Sequence, residues 1–374
     1  MEVFKTEFLE NLRHETPFFM FSRKAIQERY REFQHLFPHA TIHYAMKADD
    51  EKEILACLAE VGASFEAASV YELHLLKALH VPPDRILYGT SVKPASHIRE
   101  FHEYGVNRFA FDSIQEIEKI AHIAPKARVY VRVSVNDTGS IYRFSEKFGT
   151  VHENIVPLLI RARELGLEHY GISFHVGSQA GNSAAWANAI ESLIPILKHL
   201  EELGLPIEIL DIGGGYPAPY PSNENNITLE EIAHSIEKAC KKLPYKPRLI
   251  MEPGRAMVAE SAVLVASAIA RVDRIEHTWL FLDAGVYNGL FESLAYQGSV
   301  RYRMTCLRPS FDVGEATFAL AGPTGDSWDV VSREVHLPAD IGVGDRIAFH
   351  DVGAYNLVMV GRFNGFPKPA VHFV

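Results

Sequence analysis

"TIHYAMKADD", residues 41–50, alternates β-branched and aromatic residues as a strand does, then places a lysine, Lys47, where the strand should end. The plainer reading of Lys47 is a charge that solvates the strand's exit. Seven more short apolar runs bounded by turn residues follow: "SFEAA" (64–68), "RILYG" (85–89), "RFAF" (108–111), "RVYVRVSV" (128–135), "YGISFH" (170–175), "IEILDI" (207–212) and "RLIME" (248–252). Between most of them lie segments of helical period, such as "SVYELHLLKAL" (69–79), "SIQEIEKIAHI" (113–123), "ENIVPLLIRARELG" (153–166) and "AWANAIESLIPILKHLEEL" (185–203). Thr228 opens "TLEEIAHSIEKAC", where Glu231 completes a capping box, each side chain satisfying an amide that the helix start leaves unpaired. Eight strand–helix units predict an α/β fold, a closed (β/α)8 TIM-type barrel over residues 22–254, because an open doubly wound sheet usually has fewer strands.

Beyond residue 255 the helical period fades. "AVLVASAIARV" (262–272), "TWLFLDAG" (278–285), "DRIAFHD" (345–351) and "YNLVMVGRF" (355–363) read as strands. They predict a C-terminal, mostly β domain made of residues 1–21 with 255–374, to which "FFMFS" (18–22) adds a strand and so brings the chain's start to its end.

The totals suit a soluble globular protein: 374 residues, 47% hydrophobic and 22% charged. The acid-studded opening "MEVFKTEFLENLRHE" lacks the basic flank and apolar centre of a signal peptide. The longest apolar run, "AVLVASAIA" (262–270), is less than half of the roughly 20 residues a membrane span needs. Three scattered cysteines without a CxxC fit a reducing, cytoplasmic setting. A formal charge of −10 opposes binding to nucleic acid. Eighteen histidines include no HxH at the end of the first strand and no HExxH, so no metal site is expected.

In such a barrel the C-terminal ends of the strands and their loops build the active site. Lys47 follows strand one, Glu66 lies near the end of strand two, Arg132 is in strand five and His175 ends strand six. Asp211 and "GGG" (213–215) end strand seven; "EPGR" (252–255) ends strand eight. Arg132 with Glu66 also reads as a buried ion pair, and His175 as a satisfied core histidine. Three consecutive glycines cost backbone entropy, and their usual return is exposed amides that cradle an anion, often a phosphate. Arg255 offers a second phosphate partner. A lysine amine forms an imine with an aldehyde. Pyridoxal 5'-phosphate carries both aldehyde and phosphate, and an acid such as Glu252 beside its pyridine nitrogen would make the ring an electron sink, with His175 stacked on its face.

With these residues in place, the chain resembles the fold type III pyridoxal-phosphate decarboxylases, the ornithine and diaminopimelate decarboxylase family with its alanine racemase-like fold, over nearly its whole length. "YAMKAD" (44–49), "SEKFG" (145–149), "GISFHVGSQ" (171–179), "DIGGGYP" (211–217), "EPGR" (252–255), "DAGVYNGLFE" (283–292), "GPTGDSWD" (322–329) and "GAYNLVMVGRFNGF" (353–366) follow in the family's order. The ornithine decarboxylase branch is the most similar. The resemblance implies that Lys47 holds the cofactor as a Schiff base, that Glu252 pairs with the pyridine nitrogen and that His175 stacks on the ring. It assigns the phosphate to Ser178, Gly214, Gly215, Gly254, Arg255 and Tyr355, and a supporting role to Glu66 and Arg132. It further implies a homodimer with shared sites, in which Asp326 reaches substrate across the interface and Lys147 pairs with Asp329 between subunits.

Two positions depart from the family's pattern. The family's "GPTCD" has a cysteine that returns a proton to the α-carbon after carbon dioxide leaves; here it is Gly325. Glycine has no side-chain proton, so the quinonoid is protonated by another group or takes another route, transamination or oxidative decarboxylation–deamination. A catalytically silent regulatory homologue is the third reading. The second departure is Gln297 after Tyr296, where ornithine-type enzymes place an aspartate that grips the substrate's distal amine. An amide offers no charge pairing, and Arg301 and Arg303 nearby would suit a distal carboxylate, as in diaminopimelate or a conjugated diamino acid of siderophore assembly.

Overall fold

The computed structural model describes residues 3–221, 227–294, 300–308 and 313–374. The chain divides into two compact units, one of Met1–Glu28, Ala218–Glu224 and Arg255–Val374, the other of Arg29–Pro217 and Asn225–Gly254. Among the described residues no helix is long and apolar enough to cross a membrane.

The first strand, Phe18–Phe21 (β1), belongs to the former unit. The latter unit is built on Ala40–Ala45 (β2), Ser64–Ala67 (β3), Ile86–Tyr88 (β4), Arg108–Phe111 (β5) and Arg128–Arg132 (β6). A short ribbon pairs Ser140–Tyr142 (β7) antiparallel with Ser178–Ala180 (β9), and the strand between them is Glu168–Ser173 (β8). Ile209–Asp211 (β10) and Arg248–Met251 (β11) complete the set. Strands β10-β11-β2-β3-β4-β5-β6-β8 close into a parallel barrel, as the eight apolar runs predict. Most of these strands are buried along nearly their whole length because helices cover a parallel sheet, which is why they read as continuous apolar runs. Leu87, Ala110, Tyr130, Tyr170, Ile209 and Ile250 form one buried cluster.

Local signals place the helices. Ser69 caps Val70–Ala78 by accepting the Glu72 amide, Ser113 caps Ile114–Ile123 through Glu116, and Thr228 and Glu231 form the predicted capping box. The segment read as one helix over 185–203 is two, Ala185–Ser192 and Ile194–Glu202. Pro195 lacks an N–H and its ring crowds the preceding turn, so a new helix starts there.

The other unit is a sheet ordered β14-β17-β12-β13-β15-β16, from Ala262–Asp273 (β12), Thr278–Leu282 (β13), Met304–Cys306 (β14), Glu315–Ala321 (β15), Val330–Pro338 (β16) and Arg346–His350 (β17). Strand β1 joins it, antiparallel to β12 and parallel to Ala370–Phe373 (β18), the last strand. The expected strand over 355–363 does not form: Leu357–Met359 and Phe363–Gly365 are short 3-10 turns. Buried Asn356 explains this. Its amide nitrogen donates to the Val352 and Ala354 carbonyls, and its oxygen accepts from the Glu292 amide and the Tyr302 hydroxyl, so the backbone folds around it.

Candidate active site

In the barrel unit, Lys47 stands in a tight turn, Met46–Ala48, directly after β2. Its Nζ donates to Glu66 Oε2 at 3.2 Å; the lysine side chain is 45% exposed and the glutamate 3%, so a reachable amine is held by a buried acid. Among the described residues Glu66 pairs with Lys47, not with Arg132, which sets aside the Arg132–Glu66 ion pair. A side chain at Gly89 would lie 2.7 Å from Glu66 Cγ, so glycine there leaves room for the acid. Gly254 backs the lysine turn: a Cβ there would meet Ala48 at 3.0 Å.

His175 follows β8, with Nδ1 accepting the Gly177 amide at 3.0 Å and the Phe144 ring edge-on at 4.9 Å. Burial first, then the positive charges of Arg132 and Lys47, hold its pKa well below the usual imidazole range. The ring is therefore neutral at pH 7. Arg132, at the end of β6, lies over the Phe148 ring at 5.1 Å. Ser178 opens β9 and is buried.

The glycine loop lies between His175 and Glu252. Gly213 and Gly215 have φ of +65° and +104°, and added Cβ atoms would come within 2.2 Å of the Phe174 carbonyl and 2.4 Å of the Gly177 carbonyl. At Gly214 a Cβ would sit 2.6 Å from the Glu252 carbonyl and 3.1 Å from His175 Nε2. Close backbone packing thus demands these glycines independently of any anion. The carbonyls of Gly213, Gly214 and Gly215 accept from the Glu252 amide, the Trp186 indole and the Ala180 amide. The amides of Gly214 and Gly215 meet no acceptor among the described residues. Two free N–H groups beside a neutral imidazole and a lysine fit a phosphorylated aldehyde.

Glu252 follows β11. Burial, the Asp211 carboxyl and Glu66 raise its pKa well above the carboxylate range, against the pull of Lys47. Asp211, fully buried at the end of β10, is raised too, by burial first. Glu72 is pushed up to about 7 by burial and by Glu66. The sequence places Asp211 among the strand-end residues of the rim without a role for it, and Glu72 does not stand out there, because a lone acid near a helix start looks like any surface acid.

In the β-rich unit, Arg255 is buried and ion-paired with Glu292; its Nη1 also donates to Tyr220 OH at 3.2 Å, and its guanidinium lies 4.5 Å from the Tyr355 ring centre. Tyr355 has φ of +56°, a strained value for a side-chain-bearing residue. Glu292 escaped sequence reading, although an acid inside the apolar run "GLFESL" was its signal. Asp326 accepts from Tyr287 OH at 2.8 Å and from the Trp328 amide at 3.0 Å. Asp329 is buried and accepts from the Val286 amide and from the amide and hydroxyl of Thr324, while Lys147, in the barrel unit, lies over the Phe148 ring. Gly325 is exposed, and its amide donates to Asn364 Oδ1 at 3.0 Å. Arg303 is tied to Asp351 at 3.2 Å, so it serves the fold. Exposed Arg301 borders a cavity of about 840 Å³ shared with Ser327 and Trp328. Tyr296 and Gln297 lie outside the described residues. Among the described residues no group of three or more His, Cys, Asp or Glu is placed to hold a metal ion.

Three comparisons bear on this arrangement. Residues 23–259 match the family described as "Pyridoxal-dependent decarboxylase, pyridoxal binding domain". The lysine/ornithine decarboxylase of Selenomonas ruminantium is 35% identical over 351 residues, covering 94% of this chain and 88% of the relative; antizyme inhibitor 2 of Xenopus laevis is 32% identical over 374 residues, covering 95% and 80%. The crystal structure of SrLDC in complex with PLP and cadaverine superposes with a TM-score of 0.89 at 33% identity, over 98% of this chain and 92% of that one.

Proposed function

The chain belongs to the pyridoxal-dependent decarboxylases and is an amino-acid carboxy-lyase that uses pyridoxal 5'-phosphate, and on that footing we propose how its own residues divide the work. Bound, the cofactor takes up the electron pair that carbon dioxide leaves on the substrate's α-carbon. Lys47 is the residue that anchors it. Its amine is reachable, and its contact to Glu66 helps to keep Nζ at the barrel rim. The free amides of Gly214 and Gly215 bind the phosphate, with Ser178, Gly254, Arg255 and Tyr355 assigned to it by the resemblance. Neutral His175 would pack on the ring face without adding a positive charge beside the pyridine, and Glu252 would meet the pyridine nitrogen. Burial first, and then Arg132 and Lys47, keep His175 neutral.

The observation that carries this reading is the junction, within one unit, of the Lys47–Glu66 contact, neutral His175 and two acceptor-free glycine amides beside Glu252. A yellow protein that borohydride bleaches is expected, with the colour lost in Lys47→Ala. A Lys47→Ala protein as yellow as the wild type would sink the assignment.

We infer that the substrate is a diamino acid, of the ornithine, lysine or diaminopimelate type or a conjugated form, and that the product enters polyamine or siderophore synthesis. Exposed Arg301 on the large cavity favours a substrate with an anionic distal end. Mass spectrometry of products from a panel of such acids, with and without oxygen, decides both the substrate and the route, amine formation against oxidative or transaminating release. Asp326 and the 67% exposed Trp328 sit together on one loop, which suits a homodimer in which Asp326 serves the partner's substrate and Lys147 pairs with Asp329 between subunits. The silent regulatory reading is kept by the similarity to antizyme inhibitor 2 together with Gly325. A colourless protein would favour it.

A further inference from the structure

The interior beneath the site holds two acids, Asp211 and Glu252, that form no ion pair among the described residues. Asp211 Oδ1 accepts from the Gly213 amide at 2.9 Å. Its Oδ2 is buried and has no amide, hydroxyl or guanidinium hydrogen to accept among the described residues. The Asp211 side chain also interacts with the Glu252 carboxyl, side chain to side chain. The backbone holds the two together: β10 and β11 pair with Asp211 opposite Ile250, the Ile212 amide donates to the Ile250 carbonyl, and the Glu252 amide donates to the Gly213 carbonyl, both at 2.9 Å. The hydroxyls of Tyr130 and Tyr216, also buried without a partner among the described residues, are kept neutral by that burial first and then by both acids.

Two carboxyls in contact, out of water and with no cation paired to either, cannot both ionise; one proton serves the pair. The groups around them do not overturn this. Arg132 and the Gly213 amide favour the charge on Asp211 and Lys47 favours it on Glu252, while Glu66 opposes both. The proton therefore rests mainly on Glu252, with Asp211 as its acceptor.

We propose that Asp211 is a positioning residue that shares a single proton with Glu252, so that Glu252 already holds, before the cofactor binds, the proton that the pyridine nitrogen takes. The step balances without solvent. One O–H bond on Glu252 breaks and one N–H bond on the pyridine forms, Glu252 and Asp211 are left as carboxylates, and the cluster's net charge is unchanged. Asp211→Asn keeps the shape and lets the amide donate to Glu252, which is then ionised beforehand; the proton must come from solvent instead. The inference rests on the reading that Glu252 meets the pyridine nitrogen.

The test titrates the full-length chain, freed of cofactor, with pyridoxal 5'-phosphate in a calorimeter, in two buffers of different ionisation heat. Asp211→Asn is expected to take up about one proton per chain more than the wild type. Infrared difference spectra of the wild type alone should lose a carboxylic-acid carbonyl band as the cofactor binds, a readout that stands even if the variant does not fold. Equal proton counts, or a wild-type spectrum in which no acid carbonyl is lost, overturns the proposal. If the visible colour never develops, the cofactor-site reading itself has failed; a yellow protein with no acid band to lose means that only the shared proton has.

Discussion

Gly325→Cys is the substitution that this site should accept and that its chemistry should register. Among the described residues a Cβ at Gly325 meets only Asn364 Oδ1, at 3.8 Å, and φ there is not left-handed. A cysteine should therefore fold without strain, changing stability by no more than about 0.5 kcal/mol, as is usual for an exposed substitution. Its thiol would restore the proton donor that the resemblance places between Thr324 and Asp326. A positioned general acid is worth about 10²–10⁴-fold in the step it serves, so the ratio of amine to aldehyde or keto product should rise at least about tenfold. The assay is product analysis by mass spectrometry over the first turnovers, in air and under argon, with Gly325→Ala as the variant that fills the same space without an acid. If Gly325→Cys is folded and yellow yet gives the wild-type product ratio, the missing thiol does not govern the intermediate's fate.

Gly214→Ala drives a methyl to 2.6 Å from the Glu252 carbonyl and 3.1 Å from His175 Nε2; about 1–3 kcal/mol of stability should go, with weaker cofactor binding, by thermal melting and absorbance titration. Glu292→Ala leaves Arg255 buried without its carboxylate, and a loss of about 3–5 kcal/mol in denaturant unfolding is expected; a loss under about 1 kcal/mol would mean that another group carries the charge. Glu72 titrates near 7 when folded, against 4.5 for an ordinary glutamate, so the native chain holds a proton the unfolded chain has lost between those values, and stability falls as pH rises through that window. Glu72→Gln, which can still accept the Ala68 amide, should be more stable than the wild type above pH 7, by up to about 3 kcal/mol at about 1.4 kcal/mol per pH unit, with the gain vanishing toward pH 4.5 in a series of melts.

The barrel was legible because each of its strands announces itself over four to eight residues, by apolar runs between turn residues, and because Ser69, Ser113 and Thr228 mark helix starts by bonds within a few positions. The order of chemical groups along the chain, from Lys47 to Glu252, placed them on one rim once the barrel was assumed. Periodicity also misled: "YNLVMVGRF" alternates like a strand, but Asn356 finds acceptors and donors as far away as Glu292 and Tyr302, and those bonds outweigh the local pattern. The glycines of 213–215 were read as a cradle for an anion, whereas packing against Phe174, Gly177 and Glu252 requires them as well.

Residue types and their spacing determined the barrel and the cofactor class, since those follow from interactions a few positions apart and from the sequence of strand ends. Only the folded chain decided that Arg255 is neutralised by Glu292, that Glu66 holds Lys47, and that Asp211 lies against Glu252. Whether a charge survives depends on what surrounds it once water is excluded, and those neighbours come from distant parts of the chain.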